Sequence, residues 1–261
     1  MITSTSSSQV KHVVNLQKKA KLRKEEKQFV VEGVKMVSEA PADRLVKVYV
    51  SETFKADNEE FLERMNYDSI GKDVLEIVTD NVFMRMADTQ TPQGIMAVVR
   101  MSDTDLEGIL SDKHNPLLLI IENLQDPGNL GTIVRMAEGA GVTGIIMSSN
   151  TVDIYNPKTI RSTMGSLYRV PVIYVDDICE AADVCKSKGV TVYAAHLKGT
   201  DNYNKKDYTN PTAFMIGNEG NGLTDKLADK ADEYVRIPMQ GEVESCLLYT
   251  SPSPRDGATS R

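Results

Sequence analysis

From Pro116 onward, short apolar runs alternate with segments of helical pattern. The runs predict strands at 117–121, 144–148, 170–175, 190–195, 213–217 and 234–238, and the segments between them predict helices at 129–140, 157–164, 177–188 and 222–230. Short apolar strands separated by helices are typical of a parallel sheet covered on both faces. In such sheets ligands bind in the loops that follow the carboxyl ends of the strands.

The first hundred residues have a different pattern of apolar and polar positions, which predicts a compact α/β unit. A basic helix in residues 13–33 turns into a short strand, and further strands are predicted at 46–51, 74–79 and 93–100. The polar segment 101–115 then reads as a linker, because it ends just before a proline. The chain is therefore predicted to have four segments: a first domain at 1–100, the linker at 101–115, a second domain at 116–245 and an atypical tail at 246–261.

Composition is typical of a globular protein. The 261 residues are enough for two domains, 41% are hydrophobic and 26% are charged, and no apolar run is long enough to span a bilayer. The first twelve residues lack the apolar core of a signal peptide, which leads us to expect a cytoplasmic protein. Cys179, Cys185 and Cys246 form no CxxC pair and no cluster with histidine, so we expect neither a disulfide framework nor a metal site.

Charge is distributed unevenly along the chain. The net charge is -7, yet residues 1–35 carry eight lysines or arginines against three glutamates. A basic segment on an acidic body is suited to a phosphate backbone, although a solvated amphipathic helix explains the same pattern. The candidate RNA-binding residues in this segment are Lys18, Lys19, Lys21, Arg23 and Lys24.

The stretch ENLQDPGNLGTIVR, residues 122–135, holds more polar and turn-forming residues than a strand-to-helix turn requires. We expect Asn129 to cap the helix and the Pro127-Gly128 pair to make the turn before it. These roles leave Asn123 and Arg135 unexplained. A single helical arginine is commonly a surface residue, but in combination with Asn123 it suggests an anion-binding site.

A second unusual stretch is FMIGNEGNGLTDKL, residues 214–227. It begins within the strand predicted at 213–217 and continues into a glycine-rich loop. Gly217 and Gly220 allow the backbone to approach a ligand closely, and Glu219 stands between them, although a glycine-rich hairpin with a solvated glutamate remains an alternative. Neither GxGxxG nor GxxxxGK[ST] occurs at the first strand of this sheet, which argues against a nicotinamide enzyme and a P-loop NTPase. The three histidines, at 12, 114 and 196, fit no spaced pattern and are expected to be surface or structural residues.

These loops resemble the motifs of a known family. The pattern NxxDPxNxGxxxR from Asn123 to Arg135 resembles the first motif of the SpoU (TrmH-type) branch of the SPOUT RNA 2′-O-ribose methyltransferases. IGNEGNGL at 216–223 resembles the second motif, and IPMQGEVES at 237–245 resembles the start of the third. Residues 10–100 resemble the ribosomal-protein-L30e-like substrate-binding domain that precedes many such catalytic domains.

The resemblance implies an α/β protein with an L30e-like N-terminal domain followed by a SPOUT parallel-sheet domain that contains a trefoil knot, a rare exception to unknotted topology. It implies methylation of a ribose 2′-hydroxyl in rRNA or tRNA with S-adenosylmethionine as donor, by a homodimer. The residues that would bind this cofactor are Gly217, Asn218, Gly220, Ile237, Pro238, Met239 and Ser245.

The resemblance also places Asn123, Arg135 and Glu219 in the catalytic pocket. Arginine is hard to deprotonate in a protein, so a role as general base is unattractive. Our hypothesis is that Arg135 binds the adjacent phosphate and stabilises negative charge on the 2′-oxygen. Asn123 and Glu219 would orient the ribose or the donor.

After Ser245 the sequence departs from the family pattern, which continues with Leu-Asn and a long apolar helix. This chain instead reads CLLYTSPSPRDGATSR, in which Pro252, Pro254 and Gly257 disfavour a helix. We expect residues 246–261 to be a cloning or assembly scar, with genuine divergence as the alternative. An altered third motif leaves open a catalytically impaired RNA-binding protein or ribosome assembly factor. A small-molecule methyltransferase is disfavoured by the basic N-terminal segment.

Overall fold

The computed structural model describes residues 1–65, 74–111, 115–196, 199 and 201–236. Within these residues the strands are β1 Gln28–Glu32, β2 Leu45–Ser51, β3 Leu75–Val78, β4 Ile95–Arg100, β5 Leu117–Ile121, β6 Gly144–Ser148, β7 Val172–Val175, β8 Thr191–Ala195, β9 Asp201–Asn202, β10 Thr212–Ile216 and β11 Glu233–Arg236. The α-helices are α1 Ser8–Lys18, α2 Ala20–Glu26, α3 Val34–Ser38, α4 Glu52–Asp57, α5 Glu59–Met65, α6 Asp80–Met86, α7 Leu106–Ser111, α8 Pro127–Gly139, α9 Pro157–Thr163, α10 Ile178–Ser187 and α11 Asp225–Ala228.

Internal contacts divide the chain into two compact units. The first unit consists of Met1–Asp103 together with Asp153–Tyr168, and the second consists of Thr104–Val152 together with Arg169–Arg261. The segment that connects β6 to β7 therefore belongs to the first unit, although it lies far along the sequence. The domain boundaries predicted from sequence are continuous ranges, so they do not assign Asp153–Tyr168 to the first unit.

The first unit is built on a four-stranded sheet of order β1-β4-β2-β3. The strands β1 and β2 both pair antiparallel to β4, and β3 runs parallel to β2. The helix α1 packs Val10, Val13 and Leu16 into the core, and each of these side chains is at most 1% exposed. Their spacing of three residues puts them on one helical face, which leaves the lysines of α1 on the other.

The segment Asp153–Tyr168 is fastened to the first unit by polar and aromatic contacts. Tyr155 packs its ring against Phe29 with 4.7 Å between centroids. The hydroxyl of Tyr168 donates to the carbonyl of Met36 at 2.9 Å. These contacts place α9 beside β1.

The second unit contains a seven-stranded sheet of order β7-β6-β5-β10-β8-β11-β9, and every described strand pair in it is parallel. The prediction of an α/β fold with a parallel sheet is therefore confirmed. β10 lies between β5 and β8, so the sheet is not in sequence order. The predicted knot depends on the chain beyond Arg236, which lies outside the described residues.

Two element predictions are wrong. The segment 101–115 is not a plain linker, because it contains α7, whose Ile109 is only 3% exposed and packs in the core of the second unit. The helix predicted at 222–230 is the short α11, which begins at Asp225 after a cap by Thr224. No described helix has both the length and the apolar character that a membrane crossing requires.

Candidate active site

The carboxyl ends of β5 and β10 lie side by side in the second unit. Ile121 pairs with Ile216 at the ends of these two parallel strands. The loops that follow them therefore leave the sheet at the same edge. β8 is the other neighbour of β10, so its end reaches this edge as well.

Asp126 caps the helix α8 that follows the first loop. Its carboxylate accepts the backbone N–H of Asn129 at 2.7 Å, and Pro127 is the first helical residue. The expectation that Asn129 would be the cap is therefore wrong. Proline suits the first helical position because no N–H is required there, and the cap precedes it.

Glu219 joins the two loops. Its carboxylate accepts the backbone N–H groups of Asp126 at 2.8 Å and Gln125 at 3.1 Å, and the Nδ2 group of Asn129 at 3.4 Å. These partners belong to the first loop and to the start of α8. Glu219 is thus engaged with the protein backbone, as a residue that holds the second loop against the first.

The pKa of Glu219 lies below its ordinary value. Burial acts to raise this pKa, but the backbone N–H of Asp126 and further hydrogen bonds that favour the charged form lower it more. The carboxylate is consequently ionised at neutral pH, which is the form that accepts all of these hydrogen bonds.

Asn123 has a left-handed backbone with φ of 55°. Its backbone N–H donates to the Ser148 hydroxyl at 2.9 Å, and its carbonyl accepts Nδ2 of Asn218 at 2.9 Å. Asparagine tolerates this conformation better than most residues, but the contacts on both sides are needed to hold it.

The second loop is closed by its own backbone. Asn218 and Gly222 exchange two N–H to O=C hydrogen bonds of 2.9 Å, and the Oδ1 of Asn218 accepts the N–H groups of Gly220 and Asn221. A Cβ at Gly217 would lie 2.1 Å from the carbonyl carbon of Gly222, so only glycine fits there. A Cβ at Gly220 would meet nothing closer than 3.6 Å.

Glu122 connects the end of β5 to α11. It is 6% exposed, and its carboxylate accepts both the backbone N–H and the hydroxyl of Thr224 at 2.8 Å. Thr224 in turn caps α11. This contact fixes the chain that leaves the second loop.

A cavity of about 520 Å³ opens at this edge of the sheet. It is lined by Asn123, Gln125, His196, Asn218, Asn221, Gly222, Leu223, Thr224 and Asp225. Its size lies within the range of small-molecule and cofactor sites. Amide, hydroxyl and carboxylate groups predominate, which suits a ligand rich in hydroxyl and amino groups.

Comparison with known proteins identifies the chain. The model of the SpoU rRNA Methylase family matches residues 116–247, which is about half of the 261 residues. The chain belongs to the SpoU rRNA Methylase family. The model of the MRM3-like substrate binding domain matches residues 7–97, in the first unit.

Two curated relatives illustrate the similarity. The chain is 33% identical over 175 residues to the 23S rRNA (guanosine(2553)-2′-O)-methyltransferase RlmP of Bacillus subtilis, and the alignment covers 65% of each protein. It is 31% identical over 248 residues to an uncharacterized tRNA/rRNA methyltransferase of Synechocystis, covering 94% of this chain and 87% of the relative. The chain thus spans slightly less than two thirds of the Bacillus protein.

A solved structure agrees with the fold over nearly the whole chain. The AdoMet-bound rRNA methyltransferase from Sinorhizobium meliloti has a TM-score of 0.80 and 28% identity, and the match covers 95% of this chain and 93% of that one. The resemblance stated from the motifs is confirmed.

Among the predicted site residues, Asn123, Asn218 and Glu219 meet at the edge of the sheet, and Gly217 and Gly220 lie in the same loop as Asn218 and Glu219. Arg135 lies on α8, exposed, and does not line the cavity. Within the described part of the chain its guanidinium makes no ion pair, so it is available to an anion.

Four predicted cofactor residues, Ile237, Pro238, Met239 and Ser245, and the tail 246–261 lie outside the described residues. No group of three or more histidine, cysteine, aspartate or glutamate side chains suitable for a metal ion occurs in the part of the chain that the structure describes.

The predicted RNA-binding residues of the first unit differ in solvent exposure. Lys18, Lys19, Lys21 and Lys24 are exposed. Arg23 is 3% exposed, and its guanidinium donates to Asp153 at 2.6 Å and to the carbonyl of Leu16 at 2.6 Å. We therefore withdraw Arg23 from the RNA-binding candidates, because it is a structural residue that fastens the segment Asp153–Tyr168.

Sequence reasoning missed several residues of the site. Ser148 ends β6 and Thr151 lies in the turn that follows, and both are buried near Asn123. The polar run SSNT at 148–151, after an apolar strand, is the pattern that could have indicated them. His196, expected to be surface or structural, lines the cavity. No short motif marks it, because it reaches the site only through the position of β8 beside β10.

Proposed function

We propose that this chain transfers a methyl group from S-adenosylmethionine to a ribose 2′-hydroxyl of ribosomal RNA. Membership of the SpoU family supports this, as does the similarity to relatives named as rRNA 2′-O-methyltransferases. The observation that carries the proposal is the cavity at the carboxyl ends of β5, β8 and β10, with its two motif loops held together by Glu219.

The residues at this cavity fit S-adenosylmethionine. Asp225 and Asn221 line the cavity and carry oxygen acceptors that suit hydroxyl or amino groups. The cofactor supplies an electrophilic methyl group on a sulfonium. The protein has to align the ribose 2′-oxygen with the methyl group, because methyl transfer is an in-line displacement in which the new O–C bond forms as the C–S bond breaks.

The side chains of this chain then act on the RNA. Arg135 binds the phosphate next to the target ribose and stabilises the developing negative charge on the 2′-oxygen. Asn123 donates a hydrogen bond to an oxygen of the bound nucleotide. The 2′-hydroxyl proton leaves to solvent, since no step here requires arginine to lose its own proton.

The first unit supplies the RNA-binding surface. Its exposed lysines Lys18, Lys19, Lys21 and Lys24 lie at or near the ends of α1 and α2, and their contacts with phosphates do not depend on base sequence. We further propose a cytoplasmic homodimer. Arg135 lies outside the cavity lining, and in the family that the motifs resemble, dimerisation completes the site.

A labelled-methyl assay tests this function. Incubation with S-adenosylmethionine labelled on its methyl group and unmodified rRNA should label the RNA, and nuclease digestion should release a 2′-O-methylated nucleoside. Label on a base, or label in tRNA alone, would contradict the proposal. RNA binding without methyl transfer would favour an RNA-binding or ribosome assembly factor instead.

A further inference from the structure

Two buried hydroxyls lie behind Asn123. Ser148 ends β6 and is 8% exposed, and Thr151 follows in the next turn and is 5% exposed. Their oxygens are 3.0 Å apart. The roles assigned above to the cavity residues do not account for this pair.

The number of donors and acceptors around the Ser148 hydroxyl decides which of its hydrogen bonds it donates and which it accepts. The oxygen accepts the backbone N–H of Asn123 at 2.9 Å and lies 3.2 Å from the Oδ1 of that residue. Thr151 has two acceptors in reach, the Ser148 oxygen at 3.0 Å and the carbonyl of Ile121 at 3.4 Å. The shorter bond to Ser148 is favoured.

With two hydrogens accepted, both lone pairs of the Ser148 oxygen are used. Its single hydrogen is then left for the Oδ1 of Asn123. This fixes the orientation of the Asn123 amide, because the oxygen is held by Ser148 and the Nδ2 group is turned away from it. Within the described residues Nδ2 has no protein partner, and Asn123 lines the cavity.

We propose that Ser148 is a positioning residue for methyl transfer, which sets the Asn123 amide so that it presents a hydrogen-bond donor to an oxygen of the ribose or its phosphate. This inference rests on the function proposed above. A reversed amide would present an oxygen to an oxygen and repel it. The same hydroxyl also holds the left-handed backbone of Asn123 through its N–H.

The test is a double-mutant cycle. Ser148→Ala should lower the rate of methyl transfer at saturating RNA and donor by about tenfold or more, given that loss of an oriented donor costs about 10²–10³-fold. Asn123→Gly removes the amide while glycine keeps the positive φ without strain. In the Asn123→Gly background, Ser148→Ala should lower the rate less than about twofold, because its effect passes through Asn123.

Thr143→Val is the matched control. It deletes a hydroxyl just before the opposite end of β6, where Thr143 donates to the carbonyl of Leu117 at 3.1 Å, and leaves every hydrogen bond of Ser148 in place, so the rate should fall less than about twofold. A wild-type rate for Ser148→Ala would overturn the proposal. So would an equal rate reduction with and without the Asn123 side chain, since Ser148 would then act through the fold alone.

Amide hydrogen exchange supplies a readout that needs no activity. The Asn123 N–H should exchange faster in Ser148→Ala than in the unmodified chain, while Thr143→Val leaves it unchanged. Unchanged exchange in Ser148→Ala would overturn the assignment of this hydrogen bond. Absence of methyl transfer by the unmodified chain, with the expected change in exchange, would overturn the proposed function and leave the hydrogen bond established.

Discussion

The carboxylate of Glu219 accepts the backbone N–H of Asp126 at 2.8 Å, across 93 residues of sequence. Asp126 in turn caps α8, the helix that carries Arg135. The hydrogen bond therefore links the second motif loop to the start of the helix that bears the proposed phosphate-binding arginine. A displacement of Glu219 would disturb both the cavity wall and α8.

Glu219→Gln should destabilise the second unit in a pH-dependent way. The folded-state pKa of Glu219 is lowered, so its stabilisation is present above the unfolded pKa of about 4.3 and is lost as the pH falls through the folded pKa. At pH 7 the substitution should lower the free energy of unfolding by about 1–3 kcal/mol, because a charged acceptor is removed.

Urea denaturation at several pH values measures this effect, with exposed Glu180→Gln as a control that stays within about 0.5 kcal/mol. The difference between wild type and Glu219→Gln should shrink below about pH 4. A difference that stays constant from pH 7 to pH 3 would show that the charge is irrelevant.

Arg23→Met should destabilise the first unit strongly. The substitution leaves Asp153, whose side chain is 16% exposed, without its ion-pair partner. Breaking a buried pair costs about 3–5 kcal/mol. Lys21→Met is the control, because Lys21 is 88% exposed and should change stability by less than about 0.5 kcal/mol. Thermal unfolding, monitored by circular dichroism, measures the stability of both variants. Equal melting temperatures for Arg23→Met and Lys21→Met would refute the structural role of Arg23.

Removing the exposed lysines should weaken RNA binding and its salt dependence together. Replacing Lys18, Lys19, Lys21 and Lys24 by glutamine should reduce the slope of log K against log salt concentration by about 0.7–0.9 for each phosphate that the protein no longer neutralises. Filter binding to an rRNA fragment across a salt series measures the slope. Lys55→Gln, an exposed lysine on α4, serves as the control. An unchanged slope in the fourfold variant would place RNA elsewhere on the protein.

Arg135→Lys should lower the rate of methyl transfer by about tenfold or more on bound RNA. Lysine keeps the positive charge but lacks the planar fork that engages a phosphate through two hydrogen bonds. Single-turnover kinetics at saturating RNA separates this effect from weaker binding. A full rate in this variant would mean that the geometry of the guanidinium plays no part in catalysis.

The sequence predicted the strands of the second unit well, because apolar runs such as 117–121 and 144–148 are short and sharply bounded. It did not predict that β10 inserts between β5 and β8, since pairing between distant strands leaves no local pattern. The motif loops were found by their composition, but the partners of Glu219 emerge only when those strands are adjacent.

The two wrong predictions for single residues have different causes. The prediction that Asn129 caps the helix overlooks Pro127, which marks the first helical position and makes Asp126, the residue before it, the natural cap. The prediction that Arg23 binds RNA follows from the charge of its lysine neighbours, whereas its burial depends on Asp153, which is 130 residues away in sequence. A charge pattern reports which residues are basic and gives no information on which of them the fold later covers.

Calorimetric titration of S-adenosylmethionine into the chain and into two glycine variants tests the cofactor site most directly. The unmodified chain and Gly220→Ala should bind, because Gly220 does not line the cavity and the nearest atom to its added Cβ would be Oδ1 of Asn218 at 3.6 Å. Gly217→Ala should lose measurable binding, because its Cβ would lie 2.1 Å from the backbone of Gly222 and force the loop open. Absence of binding to the unmodified chain, or equal binding by Gly217→Ala, would contradict the assignment of this cavity to the methyl donor.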